Sequence, residues 1–468
     1  MTDCKNDLLT ESDSFTKLTH TFNSKIIPFT SPPISNGPLT LHYGLTPLSH
    51  DLLPFLQAII KERHIIQKQA LILSETPWNT TENRAVCHHL LRHPHPPQWI
   101  KKEHQKWNTF YTDTKNQFTD IVQIGMGGSI LGPKAIIHAL RAQYKQHVTP
   151  HFISSIDPIE INQTLKQLPL SSTLFVIVSK SGTTIETHHI WNAIKNYWTA
   201  HGHLLETLPH QSVSITCPKS PIDDPKQFRE CFYIDTTIGG RFSVTSVVGG
   251  LITSMVYGPT HFDKILEGAY QLDQMAHFPL EKNISLLAAC LTIIYCNLCD
   301  YNARAIIPYS EALHDLPDYL QQLLCESNGK QISKNGTLLP YATNPAIMTG
   351  IGTDAQHATF QQFHQGSTII PIDFIGISNN TALNNHIVAQ SLALHQNNRP
   401  SSILMLKNVS ATTLGALISH YENTVLFEGL LWGINSFDQP GVELGKKILS
   451  TKSDPLFQQL FSQITGAL

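Results

Sequence analysis

Short apolar runs alternate with amphipathic segments through the middle of the chain. Residues 121–124 and 174–178 are rich in Val, Ile and Phe, and strand-like runs follow at 212–216 and 231–235. A helical segment at about 184–198 separates the second run from the third. Strands that are buried on both faces have this apolar character, so the alternation predicts a parallel sheet covered by helices.

A second alternating block follows. It predicts a buried helix over 284–299, a strand over 305–308, a helix over 317–327, a strand over 368–375 and a helix near 383–395. Two α/β units of similar size are therefore expected.

The N-terminal stretch has weak strand patterning and helical stretches near 48–70 and 81–92. We therefore predict a mostly helical segment over 1–104, a first α/β domain over 105–260 and a second over 261–468. The expected fold class is α/β, with two doubly wound parallel sheets and a helical N-terminal region.

Composition narrows the function classes for this chain of 468 residues. Its 32 Lys and Arg against 35 Asp and Glu leave a charge of −3, which argues against a nucleic-acid partner. With 41% hydrophobic residues and only 14% charged ones, the chain is not disordered. The longest apolar run, 284–299, is too short and polar to span a membrane, so no membrane partner is expected.

The eight cysteines are expected to be buried thiols in a reduced compartment, and the N-terminus lacks the apolar core of a signal peptide. Both features predict a cytoplasmic protein. The lone pair Cys296 and Cys299 and the crowded histidines at 88–95 lack the partners that a metal site needs, so no metal is predicted.

Two loops are suited to hold a phosphate. The run GMGGS at 125–129 fails the dinucleotide fingerprint because Ile130 stands where a third glycine belongs, but it still makes a tight turn with Ser129 beside it. The run SKSGTT at 179–184 offers four hydroxyls, one ammonium and Gly182 after an apolar strand. Thr183 and Glu186 have capping-box spacing, which places a helix N-terminus there. An ordinary polar turn would also fit these residues.

Three further residues are candidates for acid–base or electrostatic chemistry. Arg241 follows two glycines that let the backbone approach a ligand, where its guanidinium could stabilise an oxyanion. Gln322 and Glu326 share a helix face, and a carboxylate in the last turn of a helix is mildly unfavourable for stability, which makes Glu326 a candidate general base. An exposed glutamate without a function would also fit this position.

Taken together and in order, the motifs resemble the glucose-6-phosphate isomerase family. The resemblance covers about residues 79–450 and rests on IGMGGS at 124–129, SKSGTT at 179–184, GGRFS at 239–243, ESNGK at 326–330, HQG at 364–366 and FDQPGVELGK at 437–446.

The resemblance implies two sugar-isomerase (SIS) domains, no cofactor, a role in glycolysis and gluconeogenesis, and a homodimer with shared active sites. It implies that Glu326 moves a proton between C1 and C2, that Arg241 stabilises the enediolate, that His364 assists ring opening from the partner subunit, and that Lys446 assists at the ring oxygen. Sugar and phosphate would be bound by Gly128, Ser129, Ser179, Lys180, Ser181, Gly182, Thr183, Thr184, Gln322 and Gln439.

The chain departs from the family pattern at two places. Residues 348–351 replace the usual Trp-Gly-Glu-Pro, and Pro440 replaces a usual Trp. Two alternatives stay open: an SIS isomerase for another sugar phosphate, such as a glucose/mannose isomerase, and a non-catalytic SIS sensor of sugar phosphates.

Overall fold

The computed structural model describes residues 8–26, 28, 32–452 and 454–466. Its strands are β1 Ile34–Asn36, β2 Leu39–Leu45, β3 Asp120–Ile124, β4 Thr149–Ile153, β5 Thr173–Val178, β6 Ser212–Thr216, β7 Glu230–Tyr233, β8 Ala303–Pro308, β9 Ala346–Thr349, β10 Ile372–Ile377 and β11 Ser401–Leu406. Its α-helices are α1 Asp13–Thr21, α2 Leu53–Glu62, α3 Ile65–Leu73, α4 Gln98–Thr114, α5 Leu131–Leu140, α6 Pro158–Lys166, α7 Ile185–Ala200, α8 Val247–Tyr257, α9 Pro259–Met275, α10 Ile284–Ile293, α11 Leu316–Asn328, α12 Gly352–Ala358, α13 Phe360–Gln365, α14 Thr381–Gln396, α15 Ala411–Trp432, α16 Glu443–Thr451 and α17 Pro455–Thr465.

The first sheet has five parallel strands in the order β4-β3-β5-β6-β7. All six residues of β5 are buried, as the continuous apolar run predicts for a strand covered on both faces. Parallel strands end at one edge of a sheet, so the loops after β3 and β5 lie side by side. These are the glycine-rich and serine-rich loops of the sequence.

The second sheet has the order β1-β2-β11-β10-β8-β9. Strands β8 to β11 are parallel to their neighbours, which confirms the second α/β unit, whereas β2 runs antiparallel to β11. Strands β1 and β2 lie in the N-terminal segment that is predicted to be mostly helical, so this prediction is wrong for residues 34–45. The signal was present, because Leu39, Leu41 and Tyr43 are buried and alternate with more exposed neighbours.

The helical expectations for the N-terminal segment hold in part. Helices α2 and α3 cover the stretch near 48–70 and are separated at His64, whose φ is 52°. Residues 81–92 contain only the short 3₁₀ helix His88–Arg92, so that prediction was wrong about helix length. The boundaries at 105 and 261 remain a proposal, supported by the placement of β3–β7 between them and of β8–β11 after them.

The core centres on α15, which is buried along almost its whole length and packs against α9 and α10. Its buried carboxylates face arginines: Glu422 pairs with Arg92, and Glu428 lies 3.7 Å from Arg304. A buried charge persists only when it is paired in this way. In the described part of the chain, no helix is long and apolar enough to cross a bilayer.

Candidate active site

Two glycine loops touch backbone to backbone at the centre of the site. A Cβ on Gly128 would lie 2.2 Å from the carbonyl oxygen of Gly240, so only glycine fits. Gly127 has a φ of 53°, and a Cβ there would lie 2.7 Å from Gln322 Nε2. The loop after β3 therefore contacts both the Arg241 segment and helix α11.

Arg241 is almost completely buried, with 2% of its surface exposed. Its Nε donates to Ser327 Oγ at 2.6 Å, and its Nη1 donates to Gln439 Oε1 at 2.9 Å. Its Nη2 donates to the carbonyl oxygens of Ser436 at 2.5 Å and Asp438 at 3.1 Å. Burial lowers the pKa of Arg241 to about 10, which leaves it charged near neutral pH.

Glu326 stands directly beside this guanidinium. Its Oε1 lies 3.5 Å from Arg241 Nη1, and its Oε2 accepts a hydrogen bond from Gln322 Nε2 at 2.9 Å. Helix α11 starts at Leu316 with Pro317 in its first turn and ends at Gly329, so Gln322 and Glu326 are one turn apart as predicted. Gln322 Oε1 is buried and has no hydrogen-bond partner among the described residues.

Lys330 is a structural member of the site that the sequence analysis did not single out. Its ammonium donates to the carbonyl oxygens of Ser327, Asn435 and Asp438 at 2.8, 3.0 and 2.9 Å. The end of α11 is thereby tied to the segment that also accepts from Arg241. Burial lowers the pKa of Lys330. Its presence in the ESNGK motif was the available signal.

The serine-rich loop has a hydrogen-bonded shape of its own. Ser179 Oγ lies 2.9 Å from Thr184 Oγ1 and accepts from the backbone N–H of Gly182, whose φ is 67°. Thr183 Oγ1 donates to Ser181 Oγ at 2.8 Å. Helix α7 begins at Ile185 after Thr184, so the predicted helix start is confirmed, but the proposed Thr183–Glu186 capping box is not formed.

Lys180 points its ammonium at the segment that follows β7. Its Nζ donates to the carbonyl oxygens of Thr236 at 2.8 Å and Ile238 at 2.7 Å. Burial lowers the pKa of Lys180 to about 8. Ser129 is half-buried at the end of the neighbouring loop, where its N–H donates to the carbonyl oxygen of Met126. The structure thus places the two candidate phosphate loops at one edge of the first sheet.

Among the described residues, the hydrogen bonds of His364 do not join it to this cluster. His364 lies on α13, with Nε2 3.4 Å from Gln390 Oε1 and Nδ1 3.1 Å from Asn397 Nδ2. Within the described residues, none of its hydrogen bonds reaches Arg241 or Glu326. Lys446 is exposed on α16, seven positions after Gln439. Across the residues that the structure describes, no three His, Cys, Asp or Glu side chains converge as they would around a metal ion.

Comparison with known proteins decides the family. The model of the family described as Phosphoglucose isomerase matches residues 43–393 and 379–460. The chain belongs to this family. A glucose-6-phosphate isomerase of Treponema denticola is 36% identical over an alignment of 469 residues. The alignment covers 90% of this chain and 89% of the relative.

Two further comparisons agree. A glucose-6-phosphate isomerase of Chlamydia pneumoniae is 40% identical over 373 residues, 74% of this chain and 70% of the relative. The crystal structure of a glucose-6-phosphate isomerase from Chlamydia trachomatis covers 98% of this chain and 100% of its own, with a TM-score of 0.92 at 31% identity. The phosphoglucose isomerase fold therefore extends over almost the whole chain.

Proposed function

We propose that this phosphoglucose isomerase family member interconverts D-glucose 6-phosphate and D-fructose 6-phosphate through ring opening and a cis-enediol(ate). The observation that carries the proposal is the 3.5 Å approach of Arg241 Nη1 to Glu326 Oε1. Aldose–ketose isomerisation needs a base for a C–H proton, a cation for the enediolate oxygens and a hold on the phosphate.

Arg241 stays opposite the negative charge as that charge passes from Glu326 to the substrate during the reaction. In the resting site, the guanidinium faces the carboxylate of Glu326. When Glu326 takes the proton from C2 it becomes neutral, and the negative charge appears on the enediolate oxygen. Because Arg241 is held by five hydrogen-bond or ionic contacts, it need not reorganise to stabilise that oxygen. Glu326 then returns the proton to C1, and the hydroxyl proton passes from O2 to O1, so that C2 becomes the carbonyl carbon.

The phosphate is assigned to Ser179, Lys180, Ser181 and Thr184, with Gly182 and Thr183 shaping the loop and Gly128 and Ser129 beside it. Hydroxyls and backbone N–H groups at the start of α7 suit a dianion. Holding the phosphate supplies binding energy remote from the reacting carbons. Gln322 and Gln439 line the sugar site, and this scheme requires neither metal nor coenzyme.

We further propose a homodimer in which His364 of one subunit completes the site of the other and assists ring opening, while Lys446 assists at the ring oxygen. Two observations support this proposal. His364 bonds to Gln390 and Asn397 rather than to the Glu326 cluster. Helices α16 and α17 expose large apolar side chains, among them Leu444 at 67% and Ile464 at 82%.

Mixing two inactive variants tests the shared site. Glu326→Gln and His364→Ala chains, co-expressed, would form mixed dimers with one intact and one doubly altered site. We expect recovery to about a quarter of wild-type activity. No recovery would mean that each chain completes its own site.

The decisive activity test is a coupled assay that converts fructose 6-phosphate to glucose 6-phosphate in the presence of EDTA. We expect full turnover, and loss of activity with chelator would contradict the metal-free scheme. Turnover of mannose 6-phosphate at a rate comparable to that of glucose 6-phosphate would favour the alternative of a glucose/mannose isomerase. Binding of sugar phosphate without turnover would favour the non-catalytic sensor.

We also propose a cytoplasmic location, in keeping with the described cysteines, which form no disulfide.

A further inference from the structure

A cavity of about 300 Å³ opens between helices α4 and α9 and the segment that follows strand β7. Aromatic rings of Trp99, Trp107 and Tyr270 contribute to its wall. This volume is at the lower end of the range for small-molecule pockets. None of the residues assigned above to catalysis or phosphate binding lines the cavity.

Two residues that line the cavity each carry a buried polar atom without a partner among the described residues. Trp107 is 4% exposed and Thr245 is 1% exposed. Among the described residues, neither Trp107 Nε1 nor Thr245 Oγ1 has a hydrogen-bond partner. A buried donor left unpaired is costly, so an occupant that offers an oxygen to the indole N–H would be favoured.

The wall is also acidic. Four carboxylates line the cavity, including Glu103 and Glu267, against two cations, Arg92 and Lys101; a third carboxylate, Asp263, lies 3.1 Å from His104 Nε2. The guanidinium of Arg92 is already paired with carboxylates outside the cavity. Burial raises the pKa of Glu103, so a cation arriving beside it would favour its charged form.

The cavity is close to the phosphate loop but separate from it. Tyr233, Asp235 and Ile238 line the cavity, whereas the carbonyl oxygens of Thr236 and Ile238 bind the Lys180 ammonium. Segment 233–238 therefore binds the phosphate loop through two backbone carbonyl oxygens, and other parts of the same segment line the cavity. An occupant would not have to compete with the sugar phosphate.

We propose that this cavity is a second ligand site, which takes a small organic cation, an ammonium compound that carries a hydroxyl or ether oxygen. Aromatic faces and carboxylates attract the ammonium group, and the Trp107 indole N–H and the Thr245 hydroxyl bind the oxygen. The reacting sugar phosphate is an anion, so the two sites differ in the sign of charge that they accept.

Choline is a probe with this chemistry, and 3,3-dimethylbutan-1-ol is its uncharged counterpart of the same shape. We expect saturation-transfer NMR titration to show choline binding, with the alcohol binding at least about threefold more weakly. Glu267→Gln should weaken choline binding about threefold and leave the alcohol unchanged. Glu281→Gln, an exposed acid outside the cavity, is the matched control and should change neither.

Trp107→Phe keeps an aromatic ring and removes the indole donor, so it should weaken both probes if the variant retains wild-type thermal unfolding. Equal affinity for choline and the alcohol would overturn the proposal. So would choline binding that neither Glu267→Gln nor Trp107→Phe alters, or a crystal soaked in choline with only water at Trp107 and Thr245.

Discussion

Arg241 Nη1 lies 3.5 Å from Glu326 Oε1 and also donates to the Gln439 amide oxygen, while Nε and Nη2 donate to a hydroxyl and to two backbone carbonyls. Arg241 is thus held from every side, whereas the Glu326 side chain is still 23% exposed. The fixed partner is the cation, and the partner open to substrate is the base.

Arg241→Ala should slow turnover by about two to three orders of magnitude, because removing one fixed donor to a developing oxyanion costs about 3–4 kcal/mol. Steady-state kinetics with fructose 6-phosphate measures the effect. Arg241→Lys retains the positive charge without the planar guanidinium, so its turnover should lie between those of the wild type and Arg241→Ala. An effect of less than about tenfold would remove Arg241 from the mechanism.

Glu326→Gln should abolish exchange of the C2 proton with solvent, because an amide cannot accept that proton. Proton NMR of the sugar phosphate in deuterium oxide follows the exchange directly. Affinity for inorganic phosphate should survive, since Ser179 and Thr184 are untouched. Retained exchange at C2 would refute the assignment of Glu326 as the base.

Raising the pH through about 8 should raise KM more than it lowers kcat. Burial lowers the pKa of Lys180 to about 8, so its charge is present below that pH and lost above it. The phosphate monoester is already a dianion over this range. Up to about a tenfold rise in KM is expected between pH 7 and 9. Lys180→Arg should make KM flat over the same interval; a flat wild-type profile would argue against Lys180 as a phosphate ligand.

Gly128→Ala should destabilise the protein by at least about 2 kcal/mol and abolish activity, because the added methyl would meet the Gly240 carbonyl oxygen at 2.2 Å. Gly240→Ala is the matched control, since a Cβ there meets nothing within 4 Å. Denaturant unfolding and turnover should separate the two variants. Equal behaviour would show that the loops do not need this close contact.

His420→Gln should make stability less sensitive to acid. Burial lowers the pKa of His420 to about 3, so between pH 6.5 and 3 the unfolded chain binds a proton that the folded chain does not. Stability is therefore lost as the pH falls below 6.5, at up to about 1.4 kcal/mol per pH unit.

Burial raises the pKa of Glu422 to about 7, which acts in the opposite direction over part of that window, so the difference between variant and wild type is the quantity to compare. Urea unfolding at several pH values supplies it. His277→Gln, at an exposed position, should leave the slope as in wild type.

Secondary-structure elements could be predicted from the sequence where a single local rule determines them. The apolar run of β5 and the Pro317 start and Gly329 end of α11 were predicted within a residue or two, because burial and helix capping act locally. The ordered motifs identified Arg241, Gln322 and Glu326, which the structure brings together.

Features that depend on distant partners were not predictable in this way. Strand β2 pairs with β11, and the Lys330 ammonium binds carbonyls of Asn435 and Asp438. The alternating residues of β2 indicate a strand, but local patterning does not indicate which strand it pairs with or which carbonyls Lys330 binds. The buried Arg92 and Glu422 likewise resemble ordinary surface charges until the fold joins them.

Strand β2 pairs with β11, with Leu45 opposite Ser401, so this pair of strands can form only after β11 has been synthesised. Of the six strands in this sheet, only β1 leaves the ribosome before β2, yet the second neighbour of β2 is the last of the six to emerge. Until then β2 has only β1 beside it, and one edge of its backbone stays open to other chains. The second sheet of this isomerase is therefore completed only after Ser401–Leu406 has been synthesised, more than 350 residues after β2.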